Sequence, residues 1–167
     1  RTDASLQIGS GHVVRCLTLA EAMRDSGARV EFLCRSGAGN LNHLITKKEF
    51  IVHELPIPET KIIEATSFID GESNEYPILP FPQELDANAT VNALQGERPD
   101  WLVVDHYSLD HTWESIVRPK VSKLMVIDDL ANRVHECDVL VDQNYVKDYK
   151  NRYENYVNER TIKLLGP

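Results

Sequence analysis

The chain has 167 residues, of which 42% are hydrophobic and 26% charged, and its formal net charge is −8. Such a composition is typical of one globular domain with its own core and excludes an intrinsically disordered chain. Apolar runs reach only about four residues, which excludes a transmembrane helix. The acidic charge without a Lys/Arg cluster excludes a nucleic-acid-binding surface.

The first part of the chain predicts the end of a strand, a turn and a helix. Residues 1–5 are polar, and we expect them to complete a first strand and to place Asp3 and Ser5 in the strand-to-helix loop. A helix is expected over residues 12–25, because apolar residues recur there at helical spacing. Residues 26–27, Ser-Gly, end it, since glycine supplies the left-handed C-terminal cap.

The rest of the chain alternates between strands and helices. Runs of β-formers predict strands at 28–34, 51–55, 101–104, 123–127 and 139–141, with an edge strand at 162–165. Periodic segments predict helices at 40–47, 84–95 and 110–117, the first of them capped by Asn40.

The stretch 56–83 breaks this alternation. It contains five prolines and no sustained period. Prolines remove backbone donors, and a loop of that length inside a compact domain is usually functional or variable. We expect this stretch to be the most irregular part of the domain, with one short helix at 61–68.

Strands that alternate with helices predict an α/β fold, a Rossmann-like parallel sheet flanked by helices. Ligands of such folds bind beyond the C-terminal ends of the strands. Every predicted strand is followed by polar residues: Asp3 and Ser5, Arg35, Asp105 with His106 and Tyr107, Asp128 with Asp129, and Gln143 with Asn144. Together with the glycine turn described next, these residues are expected to line one crevice.

The turn Gly9-Ser10-Gly11-His12 precedes the first helix. Glycines let a ligand approach the backbone closely, and the helix start offers unpaired N–H groups and a partial positive charge. Anionic groups such as diphosphates bind at such places. The same partial charge disfavours an imidazolium at His12, so a largely neutral ring that acts as a general base is expected.

Other interpretations of these motifs have less support in the sequence. The turn is not a Walker A loop, because no Gly-Lys-Ser/Thr follows, and it is not a full dinucleotide fingerprint, because Cys16 stands where the third glycine belongs. Asp105 with His106 and His111 is weak evidence for a metal, since His111 is expected to face solvent at a helix start. His43, His53 and His135 are expected to be surface residues or satisfied core residues.

Two further pairs allow both a functional and a structural role. His106 and Tyr107 either bind substrate or pack the end of their strand. Asp128 and Asp129 either bind a sugar hydroxyl or cap the next turn, as aspartate often does.

The three cysteines have no metal-ligand spacing. Cys16 and Cys34 lie within apolar patterns, which predicts buried, reduced thiols, and Cys137 leaves an odd number. Such cysteine usage is typical of a cytoplasmic protein.

A series of motifs in fixed order carries a family resemblance. The motifs are RTDAS, IGSGHVVRCLTLAEAMRDSGA, FLCR, GN, PDWLVVDHYSLD, LMVIDDLANRVHECDVLVDQNY and LLGP. They resemble the N-terminal domain of the UDP-sugar hydrolases of pseudaminic acid (nonulosonic acid) biosynthesis, which cleave UDP from a diacetamido-trideoxy-altrose. The resemblance covers most of the chain except roughly 56–83 and 146–160.

The resemblance implies a two-domain, glycosyltransferase-B-like architecture, related to the sugar transferases that build peptidoglycan lipid II (MurG-like). It implies that His12 activates the water that attacks the anomeric carbon, with no metal and no cofactor. The residues expected to bind substrate are Asp3, Ser5, Gly9, Gly11, Arg15, Arg35, His106, Tyr107, Asp128 and Asp129.

The family continues after LLGP into a second domain that binds UDP. Residues 1–167 are therefore expected to form one Rossmann-like N-terminal domain, monomeric, with the UDP-sugar and that C-terminal domain as its partners and no nucleic acid or membrane. Alone, it is expected to be inactive. Two alternatives to a hydrolase remain: a glycosyltransferase of the same architecture, in which the base serves a hydroxyl acceptor, and a non-catalytic sugar-nucleotide-binding module.

Overall fold

A computed structural model describes residues 1–58, 67–69, 75–77, 79–147 and 149–167. The α-helices of these residues are α1 (Gly11–Asp25), α2 (Asn42–Lys47), α3 (Gln83–Ala93) and α4 (His111–Val117). The strands are β1 (Glu31–Arg35), β2 (Ile51–Leu55), β3 (Ser67–Ile69), β4 (Glu75–Pro77), β5 (Trp101–Val104), β6 (Lys123–Ile127), β7 (Val139–Asp142) and β8 (Ile162–Leu165). Short 3₁₀ helices cover Arg118–Lys120 and Tyr149–Asn151. None of the described helices has the length and apolar character needed to cross a membrane.

The main strands are parallel. β1 pairs with β2, and β5, β6, β7 and β8 pair in sequence order, all in parallel register. Residues 1–3 lie between the two groups: the Thr2 N–H donates to the Leu33 carbonyl at 3.2 Å, and the Asp105 N–H donates to the Arg1 carbonyl at 3.1 Å. The strands therefore follow the order β2, β1, residues 1–3, β5, β6, β7, β8.

Helices cover both faces of this sheet. One buried cluster joins α1 and α2 to β1 through Val13, Leu17, Ile45 and Phe32. The other joins α3 and α4 to the opposite face through residues that include Ala87, Trp113, Leu33, Leu102 and Val104. Because adjacent strand residues point to opposite faces, Phe32 and Leu33 enter different clusters. The predicted α/β fold, a parallel sheet flanked by helices, is confirmed.

The strands and helices predicted outside residues 56–83 are present, with small shifts in their ends. The strand expected at 28–34 begins later and covers Glu31–Arg35. The Ala28 N–H donates to the Met23 carbonyl at 3.0 Å, which keeps residue 28 in the C-terminal cap of α1. The helix expected from residue 40 begins at Asn42. Asn40 precedes it, and its side-chain oxygen accepts from the Asn42 N–H at 3.1 Å. The edge strand expected at 162–165 is β8.

Much of the stretch 56–83 lies outside the described residues, so its expected irregularity stays a prediction. Its described parts include β3 and β4, which pair antiparallel. The last two residues of the helix expected at 61–68 belong to β3, and the others lie outside the described residues.

A cavity of about 740 Å³ lies at the N-terminal edge of the sheet. It is lined by residues 1–2, by the starts of β1 and β5, by α1 from Cys16 onward and by the end of α3. The polar residues that follow the strands lie at the opposite edge, although Cys16, which lines the cavity, also contacts Asp105.

The two cysteines predicted to be buried are buried. Cys16 and Cys34 are 9% and 1% exposed, and burial raises the pKa of their thiols to about 12 and about 11. Both thiols are therefore protonated near neutral pH.

Candidate active site

The loop before α1 is a tight turn anchored by Ser5. The Ser5 hydroxyl accepts from the N–H groups of Gln7 and Ile8, and the Ser5 carbonyl accepts from the Gly9 N–H at 2.9 Å. Gly9 has φ of +79°, a conformation that glycine adopts without steric cost. Ser10 gives α1 no side-chain cap, so the N–H groups of the first turn remain open to a ligand.

His12 lies in the first turn of α1 and points to the end of β5. Its Nδ1 is 2.5 Å from Oδ1 of Asp105, the residue that follows β5. The His12 ring is packed edge-on against the Tyr107 ring, with centroids 4.4 Å apart. The His12 side chain is only 4% exposed, because its contact with Asp105 holds the ring against the end of β5.

Arg15 lies one turn further along α1 and joins two carboxylates. Its Nε and Nη2 donate to the two oxygens of Asp105 at 2.5 and 2.6 Å, and its Nη1 donates to Oδ2 of Asp129 at 3.0 Å. Asp129 follows β6, so Arg15 connects the ends of β5 and β6 to α1.

Asp105 is ionised in this arrangement. Its burial would raise the carboxyl pKa, but hydrogen bonds from Arg15 and His12 more than compensate, and the pKa lies below its ordinary value. An ionised Asp105 can only accept hydrogen bonds. It therefore orients the His12 ring and leaves Nε2 without a hydrogen bond to any described residue.

His106, the neighbour of Asp105, makes contacts that hold neighbouring segments of the fold together. The Ser108 N–H donates to its Nδ1 at 3.0 Å, and its Nε2 is 3.4 Å from Oδ2 of Asp3. Burial lowers its pKa despite the nearby Asp3 carboxylate. The neutral ring thus carries its proton on Nε2 and is a link between Asp3 and the loop after β5.

Asp3 and Arg35 belong to a buried network behind this site. Asp86 of α3 accepts from Arg1, from Arg35 and from the Trp113 indole at 2.6 to 3.0 Å. Asp3 pairs with Arg1 at 2.6 Å and accepts from the Arg35 N–H at 2.8 Å. The guanidinium of Arg35 also stacks over Phe81. These contacts tie α3 to the strand ends.

Asp128 belongs to a second buried network, at the ends of β6 and β7. The Tyr153 hydroxyl lies within 3.1 Å of both the Asp128 and the Asp142 carboxylates. Asp128 also accepts from the Ala131 N–H at 2.9 Å and pairs with Arg133 at 2.7 Å. Its side chain is fully buried, so the geometry favours a turn cap over a contact with a sugar hydroxyl.

The predicted site residues therefore separate into layers. His12, Arg15, Tyr107 and Asp129 surround one point beside the turn that holds Ser5, Gly9 and Gly11. Asp3, Arg35 and His106 lie behind that point in the Asp86 network, and Asp128 lies in the Tyr153 network.

Three residues that support the site have no assigned role in the sequence-based prediction. Asp105 is among the strand-end residues expected to line the crevice, but the sequence does not indicate its contact with His12. Asp86, inside a helix, and Tyr153, in a polar segment without period, carry no signal in the sequence. Among the described residues, no group of three or more His, Cys, Asp or Glu side chains is placed to hold a metal ion.

The comparisons with known proteins support the resemblance drawn from the sequence. No family model matches the chain. A curated protein of Campylobacter jejuni, named UDP-2,4-diacetamido-2,4,6-trideoxy-beta-L-altropyranose hydrolase, is 27% identical over 145 residues, which cover 86% of this chain. The chain spans 40% of the length of that relative.

Proposed function

We propose that this chain is the base-bearing domain of a UDP-sugar hydrolase, with a diacetamido-trideoxy-altrose as the sugar, in pseudaminic acid biosynthesis. The observation that carries the proposal is the His12–Asp105 pair: one nitrogen of the ring is held by a buried carboxylate, and the other has no hydrogen bond to a described residue. The similarity to the Campylobacter hydrolase supports the substrate class.

In the proposed reaction, Nε2 of His12 takes a proton from a water molecule as that water attacks the anomeric carbon. The bond between the anomeric carbon and the bridging oxygen breaks, and UDP leaves with that oxygen. The uncapped first turn of α1 lies beside His12, where backbone N–H groups and the helix dipole favour the negative diphosphate. The base and the proposed anion site therefore lie next to each other at the start of α1.

Substrate contacts are proposed for the residues around this point. Gly9 and Gly11 allow close approach of the backbone, Tyr107 borders the His12 ring, and Arg15 and Asp129 form the polar wall. Ser5 is proposed to hold the turn. Asp3, Arg35, His106 and Asp128 are proposed to support the polar wall through the networks described above.

A second domain that binds UDP is part of the proposal, in a glycosyltransferase-B-like arrangement. It is supported by the 40% coverage of the relative, and the net charge of −8 offers a free diphosphate no electrostatic attraction. Residues 1–167 alone are expected to turn over no substrate and to bind UDP only weakly. Calorimetry that shows binding near micromolar would contradict this division of roles.

The test of the function is UDP release by a protein that carries both domains, without an acceptor, in water enriched in ¹⁸O. Hydrolysis at the anomeric carbon places ¹⁸O in the sugar and none in UDP. Label in UDP would indicate attack on phosphorus and overturn the mechanism. Turnover only with an added hydroxyl acceptor would indicate the transferase, and binding without turnover the sugar-nucleotide-binding module.

A further inference from the structure

The Asp105 carboxylate accepts from three side chains on one face of α1. His12, Arg15 and Cys16 are at positions i, i+3 and i+4 of the helix, which places them side by side. Oδ1 receives His12 Nδ1 at 2.5 Å and Arg15 Nη2 at 2.6 Å. Oδ2 receives Arg15 Nε at 2.5 Å and Cys16 Sγ at 3.6 Å. The two oxygens thus face four donor atoms.

A carboxylate has about four acceptor positions and no donor, and a guanidinium only donates. Nδ1 of His12 must therefore provide the proton of its contact with Asp105. From this arrangement we infer that Asp105, held in place by Arg15, is a positioning residue: it fixes a proton on Nδ1 of His12, so that the neutral form of the ring has its lone pair on Nε2. Arg15 Nη2 also lies 3.2 Å from Nδ1. A protonated Nδ1 has no lone pair with which to accept from it, so both groups donate to Oδ1 of Asp105.

The catalytic consequence rests on the proposed function, because only a lone pair on Nε2 can take the proton of the attacking water. The position of the ring proton on Nδ1 does not rest on the proposed function. It is a property of the folded chain and can be measured without substrate.

The test is the long-range ¹H–¹⁵N spectrum of the histidine rings in the ¹⁵N-labelled chain at about pH 8, where an ordinary imidazole is neutral. We expect His12 to be protonated on Nδ1. His106 is the internal control for the opposite tautomer, since the Ser108 N–H occupies its Nδ1. His12→Asn and His106→Asn identify the two sets of signals by removing them. A His12 ring protonated on Nε2 in the unsubstituted chain would overturn the inference.

Asp105→Asn tests the cause. An amide has only one acceptor oxygen, so it cannot serve both Arg15 and His12, and its NH₂ group donates to Nδ1 instead. We expect the dominant His12 tautomer to change from Nδ1–H to Nε2–H while the His106 pattern stays the same. The matched control is Asp129→Asn. It also removes a carboxylate that binds Arg15, but it removes no contact of His12.

The outcomes separate this inference from the proposed hydrolysis. An unchanged His12 tautomer in Asp105→Asn, with the His106 pattern intact, would contradict the positioning role. If Asp105→Asn does not fold, the spectrum of the unsubstituted chain still decides where the proton lies. Full hydrolysis by His12→Asn in the two-domain protein would refute the base and leave the tautomer inference standing.

Discussion

Nδ1 of His12 and Oδ1 of Asp105 are 93 residues apart in sequence and 2.5 Å apart in the fold. Residues 1–3 lead into the turn before α1, and they pair with the end of β5, which leads into Asp105. Neighbouring parallel strands deliver both loops to the same edge. The pair therefore follows from strand order, and its chemistry depends on the position of residues 1–3 in the sheet.

Two substitutions at His12 separate its chemistry from its packing. In His12→Asn, the side-chain NH₂ takes the place of Nδ1–H and keeps the bond to Asp105, whereas no atom replaces Nε2. We expect kcat to fall by about 10² to 10⁴, the usual contribution of a general base, with stability changed by less than about 1 kcal/mol. Activity is measured as UDP release by the two-domain protein, and stability by urea unfolding.

His12→Ala is the companion variant. It removes both the base and the bond to Asp105, and it leaves a space beside Tyr107, so it is expected to lose about 1–3 kcal/mol in addition to the activity. A kcat of His12→Asn within threefold of the unsubstituted enzyme would show that His12 is not the base.

Asp86 makes stability depend on pH. Its burial would raise the carboxyl pKa, but the charges of Arg1 and Arg35 lower it from 3.8 to about 2. A group with a depressed pKa stabilises the fold above its unfolded pKa, and this stability is lost as the pH falls through the folded pKa. We expect a loss of about 2 kcal/mol between about pH 4 and pH 2 from this group.

Asp86→Asn tests this contribution. The variant is expected to be less stable than the unsubstituted chain by about 3–5 kcal/mol at pH 7, because two buried cations lose their carboxylate. The difference in unfolding free energy should narrow by about 2 kcal/mol toward pH 2. Asp100→Asn, at an exposed position, is the control. If Asp86→Asn lowers the unfolding free energy by the same amount at pH 7 and at pH 2, the role given to Asp86 is contradicted.

The sequence predicted the architecture well, because strand and helix periods are local properties. The strands at 51–55, 101–104 and 123–127 match the observed bounds. The glycine turn and the strand ends also indicated the edge of the sheet at which His12, Arg15 and Asp105 meet. Each of these inferences needed only a short window of residues.

The partners of the site residues were beyond the sequence, because they are set by contacts between distant segments. Asp128 and Asp129 are adjacent and chemically identical, yet one is buried under Tyr153 and the other binds Arg15. Successive residues after a strand point in different directions. The identity of these two residues does not indicate which one faces the site. The inward position of His12 likewise depends on Asp105.

Tyr153 is expected to stabilise the fold through its hydroxyl. The ring is fully buried, and burial beside Asp128 and Asp142 raises the hydroxyl pKa, so the group stays a donor. Tyr153→Phe leaves two buried carboxylates without that donor and should cost about 1–3 kcal/mol in urea unfolding. Tyr145→Phe, at a residue that is 77% exposed, should change stability by less than about 0.5 kcal/mol. Equal losses of unfolding free energy in Tyr153→Phe and Tyr145→Phe would refute the role of the Tyr153 hydroxyl.

The two glycines of the turn are expected to respond differently to alanine. Gly9 has φ of +79°, so Gly9→Ala should cost about 1–2 kcal/mol of stability. Gly11 is the first residue of α1 and has no positive φ, and a Cβ there meets no atom within 4 Å. Gly11→Ala should therefore fold with its stability changed by less than about 1 kcal/mol.

The open space at Gly11 lies at the helix start, where the diphosphate or sugar of the substrate is proposed to bind. A methyl group there would occupy ligand space without disturbing the free protein. We expect Gly11→Ala in the two-domain protein to raise KM about tenfold, the equivalent of about 1.4 kcal/mol of binding, with kcat within a few-fold. Ser10→Ala is the control, because the Ser10 side chain gives α1 no cap. If Gly11→Ala leaves KM unchanged, the substrate does not approach the backbone at this turn.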